Sequence, residues 1–349
     1  MAQTNIMTWN LGKYGPNEHL ATQVQYVQFV ASVMQYTGTN LIGFCGIYAG
    51  LAEAFSTALI NELDNRDRQP DKWRAQASPQ LGLGRNEQYC FVWNSEKFLP
   101  SKTSLTDYFQ YDFPLPFDSK NIFGFPRVHT KSQDMPPYLG YFQLLDAATT
   151  KYLAVVLFHA PAWDGDSGRT IGLACDTIPL VPAFQQGDGL LLMGTFNVPI
   201  DDNVDTPNSN GAWAFNNLAG PKGPYQQLTQ NVPNRLATNA SVAMSMEEAL
   251  VQTADNLFFR KTSELKGFSC TNMGVANIFD HVFNTYNTST DKWMTAPLGP
   301  PLANLERLIA DADDVLALPD GSYAKLEDAF RAYRGLVSAY LPIGFTLTY

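Results

Sequence analysis

The run Leu190-Leu191-Leu192-Met193 leads directly into Gly194-Thr195-Phe196-Asn197-Val198-Pro199. Consecutive large apolar residues without polar alternation describe a strand buried on both faces. Such a strand needs a packed layer on each side, which restricts the chain to layered architectures. The glycine, the polar residues and the proline end the run abruptly. The backbone leaves the core there, at a place where side chains can meet a ligand.

Other segments repeat the theme. Strand patterns cover Asn5–Leu11, Asn40–Gly46, Trp73–Ala77, Tyr89–Trp93, Thr106–Tyr111, Tyr138–Leu145, Tyr152–Phe158, Asn256–Thr262, Asn277–Thr285 and Ile343–Thr348. Between Asn17 and Tyr36 the residues Leu20, Val24, Val27, Val30 and Met34 recur at helical spacing, closed by Gly38. Helical patterns also fall at Leu51–Leu63, after Ser167, and at Leu302–Leu316 and Leu326–Ala339, the last with Glu327 and Arg331 at i,i+4. Doubly buried strands with helices between them predict an α/β protein: two mixed sheets packed face to face with helices outside, an α/β/β/α sandwich of four layers. There is no internal repeat, low-complexity tract or linker. Residues 1–349 read as a single domain, with a loop-rich insert at about 201–241 and extra helices at about 302–339.

The charge balance narrows the partners. Thirty-three Asp and Glu against 23 Lys and Arg give a net charge of −10. Binding a polyanion through counterion release needs clustered basic residues, and only scattered pairs such as Arg260-Lys261 occur. The balance argues against nucleic acid. No stretch reaches the roughly 18 apolar residues of a membrane span. The N-terminus enters a strand pattern without a signal-like apolar region. Cys45, Cys90, Cys175 and Cys270 are widely spaced and form no CxxC or Cys/His cluster, so a zinc site is not expected. Cys45 and Cys90 read as small buried hydrophobes. A reducing cytoplasm fits these features best.

Six short motifs carry a resemblance. They are Ile6-Met7-Thr8-Trp9-Asn10, Gly84-Arg85-Asn86-Glu87-Gln88-Tyr89, Leu157-Phe158-His159-Ala160-Pro161, Met193-Gly194-Thr195-Phe196-Asn197, Ile278-Phe279-Asp280-His281 and Val337-Ser338-Ala339-Tyr340-Leu341-Pro342. Their order resembles the endonuclease/exonuclease/phosphatase superfamily, and its deoxyribonuclease I-like members most closely. The resemblance implies a fold of that kind over nearly the whole chain. It implies that Asn10 helps hold a metal or its water, that Glu87 orients His159, and that Asp280 stands in the late acidic motif.

The departures from the family pattern concern its chemistry. A metal-binding Glu corresponds here to Gly46, and a phosphate-gripping Arg to Met135. The Asp of Gly-Asp-Phe-Asn is Thr195, followed by Asn197, and the closing Asp-His pair is Ala339-Tyr340. Phosphodiester hydrolysis of this kind needs a divalent cation and an activated water. Mg²⁺ recruits carboxylates, and Asp280 is the only matched one left for it. Tyr340, with an ordinary pKa of about 10, is a poor base near neutral pH. No magnesium or other cofactor is therefore expected.

The residues leave three functions open. One is a catalytically degenerate member that binds an uncharged small molecule or a protein partner, in a pocket of Asn10, Gly46, Met135, Thr195, Asn197, Ala339 and Tyr340. A second is a repurposed, metal-independent enzyme with His159, Glu87 and Asp280 as its acid/base set. The third is a residual metal-dependent hydrolase. Two other features carry no site: the acidic Asp201-Asp202-Asn203-Val204-Asp205 stretch reads as a solvated turn, and the histidines His19, His129 and His281 as solvated or simply hydrogen-bonded.

Overall fold

The computed structural model describes residues 1–14, 20–80, 87–101, 109–110, 138–159, 188–196, 219, 225–228, 235–236, 250–252, 255–260, 267–275, 286–287, 292–293, 333, 337–338 and 340–349. In chain order the elements are β1 (Gln3–Tyr14), α1 (Leu20–Tyr36), β2 (Thr39–Tyr48), α2 (Ala52–Asp67), β3 (Trp73–Ala77), β4 (Glu87–Asn94), β5 (Phe98–Pro100), β6 (Phe109–Gln110), β7 (Tyr138–Leu144), β8 (Lys151–His159) and β9 (Gly189–Thr195). They are followed by β10 (Tyr225–Gln227), β11 (Arg235–Leu236), β12 (Leu250–Gln252), β13 (Asp255–Arg260), β14 (Ser269–Val275), β15 (Tyr286–Asn287), β16 (Lys292–Trp293) and β17 (Ile343–Thr348).

Two mixed sheets form the body. The first has the order β14-β17-β1-β2-β4-β3, the second β10-β13-β9-β8-β7-β5 with β6 also on β7. Each contains one parallel pair, β1 with β2 and β8 with β9; the other pairings are antiparallel. Helix α1 makes the crossover between β1 and β2, as a parallel pair requires.

Side-chain alternation builds the layers. Ile6, Leu41, Phe91, Val155, Leu157, Leu191, Met193, Leu257 and Phe345 point between the sheets and form one core. Met7, Trp9, Phe44 and Val92 point the other way and pack with Val27, Val30, Met34, Phe55 and Leu59 of the two helices. On the far face of the second sheet Val156, Leu192, Phe196 and Phe258 are also buried, so both sheets are covered on both sides. Gly43 sets the separation of the sheets. A Cβ there would sit 2.2 Å from the Leu157 side chain and 2.6 Å from that of Met193. Among the described residues no helix is long and apolar enough to cross a membrane.

The expected strands Trp73–Ala77 and Ile343–Thr348 occur with those bounds, and most others shift by one to three residues. Val24, placed on the apolar stripe of α1, is instead 56% exposed, whereas Tyr26, Phe29 and Val33 are buried. The helix presents a wide face to the sheet, and its edge lies one position away from the simple i,i+3/i+4 reading. Strand β14 has no counterpart among the expected strands. The helix after Ser167, all of Asn277–Thr285 and nearly all of 302–339 lie outside the described residues, as does most of the 201–241 insert apart from residue 219, β10 with Leu228, and β11.

Candidate functional site

One row of neighbouring residues crosses the second sheet at the ends of its strands. His159 closes β8 and pairs with Thr195 at the end of β9; Thr195 pairs in turn with Asp255 at the start of β13. A second row faces it from the first sheet, where Asn10 on β1 pairs with Cys45 on β2. Glu87 opens β4 beside them. Carboxyl ends of parallel strands are where open α/β sheets gather ligand-contacting groups.

Gly194 aims this row. Its φ is +131°, and an added Cβ would lie 2.1 Å from the carbonyl oxygen of Phe158, a backbone atom. Only glycine allows the strand to pivot here against β8. The pivot delivers the Thr195 side chain, fully buried, into the space between the sheets.

The polar contacts close on one another. Gly12 N–H donates to Asn10 Oδ1 at 2.8 Å, which turns Asn10 Nδ2 toward Thr195 Oγ1 at 2.8 Å and His159 Nε2 at 3.4 Å. The Thr195 hydroxyl donates to Asp255 Oδ1 at 2.5 Å. The Cys45 thiol, 3.4 Å from Thr195 Oγ1, is then the donor of that pair. On the other side His159 Nδ1 lies 2.7 Å from Glu87 Oε2, and the His159 backbone N–H donates to the Tyr89 hydroxyl at 2.9 Å. With Asn10 Nδ2 facing Nε2, this network assigns the proton to Nδ1, toward the carboxylate, and leaves Nε2 as acceptor.

The cluster is dry. Cys45, Thr195 and Asp255 have no exposure, while His159 keeps 8%. Burial, and next the nearby Asp255 charge, push the Cys45 thiol well above its ordinary range, only partly offset by the Thr195 hydroxyl. Cys45 is therefore a thiol donor here and not a thiolate nucleophile. Among the described residues no three His, Cys, Asp or Glu side chains come together as metal ligands would.

The C-terminal segment pins this end of β1. Ser338 Oγ donates to the Asn10 carbonyl at 2.6 Å and accepts from Tyr340 N–H at 2.9 Å. Trp9 Nε1 and the Tyr333 hydroxyl both donate to the Tyr340 carbonyl, at 3.0 and 2.7 Å. The Tyr340 side chain is half-buried.

Compared by sequence, the chain matches no family model and no curated protein. Its structure does match. An endonuclease/exonuclease/phosphatase family protein of Bacteroides thetaiotaomicron superposes with a TM-score of 0.50 at 12% identity, covering 100% of this chain and 98% of the other. The fold is that of the endonuclease/exonuclease/phosphatase family. A mannosyl-6-phosphatase of the same organism has a TM-score of 0.52 at 11% identity, with 99% and 100% coverage. D. rerio TDP2 humanised by 14 mutations has 0.51 at 9%, with 99% and 98% coverage.

Of the residues named for the endonuclease/exonuclease/phosphatase-like site, Asn10, Glu87, His159 and Thr195 lie in contact with one another through the bonds described above. Gly46 lies beside them in a β-bulge between β2 and β4, with φ +73°. Tyr340 reaches the site through its backbone and Ser338. Met135, Asn197, Asp280 and Ala339 lie outside the described residues. Asp255 and Cys45 were not anticipated as members. A charged residue heading the apolar run Asn256-Leu257-Phe258-Phe259 was the available signal for Asp255. The expected strand began one residue too late to include it.

Proposed function

We propose that this endonuclease/exonuclease/phosphatase-fold chain is not a metal-dependent phosphodiesterase and uses the strand-end site to bind an uncharged small molecule or a protein loop. The observation that carries this reading is the Thr195 hydroxyl bridging Asn10 and Asp255. Magnesium takes oxygen ligands in near-octahedral geometry and favours carboxylates. Here Asn10 Oδ1 is occupied by Gly12 N–H, Asp255 Oδ1 by Thr195, and Glu87 Oε2 by His159. Among the described residues this donor set does not fit a catalytic magnesium. Gly46 adds to the argument, because a side chain would be strained at its positive φ.

A second reading rests on the Glu87–His159 pair. A carboxylate holding Nδ1–H and an Nε2 lone pair met by the long 3.4 Å contact from Asn10 Nδ2 are the parts of a general base that works without metal. His159, which keeps 8% exposure, would then move a proton at Nε2. Nucleic acid is left out of both readings on the net charge of −10.

The test is an assay of bis(p-nitrophenyl) phosphate hydrolysis with manganese, run beside a binding screen of neutral metabolites and a short single-stranded DNA. The binding reading expects no turnover, no DNA binding at physiological salt, and a neutral ligand that is recovered unchanged. Conversion of that ligand, lost in His159→Ala while binding persists, selects the second reading. Manganese-dependent turnover contradicts both.

A further inference from the structure

A concave site lies away from the strand-end cluster. Its volume is about 500 Å³, and its described lining includes Asn5, Thr37, Asn272, Met273, Gly274 and Thr346. It sits on the first sheet where β14, β17 and the start of β1 meet the turn after α1. Asn5 and Asn10 are five residues apart on β1, so roughly 16 Å separates the two sites.

A polar ladder forms its floor. Asn272 Nδ2 donates to Thr346 Oγ1 at 3.2 Å, the Thr346 hydroxyl donates to Asn5 Oδ1 at 2.9 Å, and Asn5 Nδ2 donates to the Thr37 carbonyl at 2.9 Å. Every rung is an amide or a hydroxyl. No Asp, Glu, Lys, Arg or His occurs among the described lining residues. Each amide N–H₂ has a second hydrogen and each oxygen a second lone pair, so the ladder offers donors and acceptors side by side. Met273 is 40% exposed beside it, with Val275 on the same strand, and supplies a carbon surface. Asn272 has φ +51° at an irregularity between β14 and β17, which turns its amide out of the regular ladder.

We infer that this cleft is a binding site for a neutral polyhydroxylated molecule of the sugar class. A hydroxyl donates and accepts at once and so matches a floor presenting both, while the C–H face of a sugar packs on the methionine surface. A charged ligand would be desolvated there with no counter-charge among the described lining residues. The volume falls within the usual range of small-molecule sites.

The experiment is an amide-resolved NMR titration of the full chain with glucose, maltose and glucose 6-phosphate. The wild type is expected to show saturable, millimolar shifts at the Asn5 and Asn272 side-chain amides with glucose or maltose, and at least tenfold weaker binding of the phosphate. Thr346→Val removes the central hydroxyl at nearly constant shape. Asn272→Gly removes the amide yet suits the positive φ. Each is expected to weaken binding at least tenfold while the His159 resonances stay in place. No saturable shift with either neutral sugar, equal binding of glucose 6-phosphate, or shifts centred on Asn10 and His159 would each overturn the inference.

Discussion

The two halves of the strand-end cluster solve the same problem with different chemistry. On one side a carboxylate meets an imidazole, Glu87 on His159, across the two sheets. On the other, where the family resemblance expects carboxylates around a cation, Thr195 stands between Asn10, Cys45 and Asp255. Buried polar groups are costly unless they are paired. The first half is paired by a carboxylate–imidazole hydrogen bond and the second by one hydroxyl that accepts and donates. A hydroxyl closes such a network without a metal, whereas another carboxylate beside Asp255 would call for a cation.

The largest effect should come from the glycine that aims the second half. Gly194→Ala forces a Cβ onto the Phe158 carbonyl at a positive φ. A loss of more than about 4 kcal/mol is expected in urea unfolding, at the extreme end of point substitutions. A loss under about 1 kcal/mol would show that the pivot is not needed.

Thr195→Val tests the hydroxyl itself at nearly constant volume. It removes the hydroxyl that Asp255 and Asn10 share, and about 2 kcal/mol should be lost. Thr195→Ser should recover most of this. Equal stability of the two variants would separate the hydroxyl from the network.

The thiols give a pH signature. Burial holds Cys45 well above the ordinary range and raises Cys90 and Cys270 to about 12. In the unfolded chain these thiols ionise from about pH 8.5, so the folded state then binds more protons. Their contribution is complete below that pH and is lost as pH rises toward the folded values, by up to about 1.4 kcal/mol per unit for each thiol. Cys45→Ala should flatten the fall of stability between pH 8.5 and 10 in denaturant titrations, and an unchanged slope would refute the assignment.

The smallest effect belongs to the histidine half. Glu87→Gln keeps an acceptor for Nδ1–H and removes only the charge assistance, so about 1 kcal/mol is expected. A loss as large as that of Thr195→Val would make the two halves energetically alike.

Most of this arrangement was legible in the sequence because buried strands announce themselves. The runs around Leu157 and Leu191 fixed which strands are central, and their ends carried His159 and Thr195. Strand β14 was not legible. It lies at a sheet edge with mostly exposed residues and an irregularity at Asn272, so neither an apolar run nor strict alternation marks it. Asp255 was hidden for a related reason. A carboxylate fully buried at the head of a strand looks like a turn residue until the partner that satisfies it is known. The Thr195–Asp255 contact spans 60 residues, and local patterning is silent on pairings of that range. Ser338 was visible within a matched motif, but its bond to the Asn10 backbone depends on the register of β1 against the C-terminal segment.

The central claim is that the Thr195 hydroxyl closes the site without a divalent cation. Calorimetric titration of the wild-type chain with magnesium and then manganese addresses it directly. The account predicts no saturable heat in the micromolar range and an unfolding midpoint unchanged by either metal or by a chelator. Stoichiometric micromolar binding that raises the midpoint, and disappears in Asp255→Asn, would contradict it.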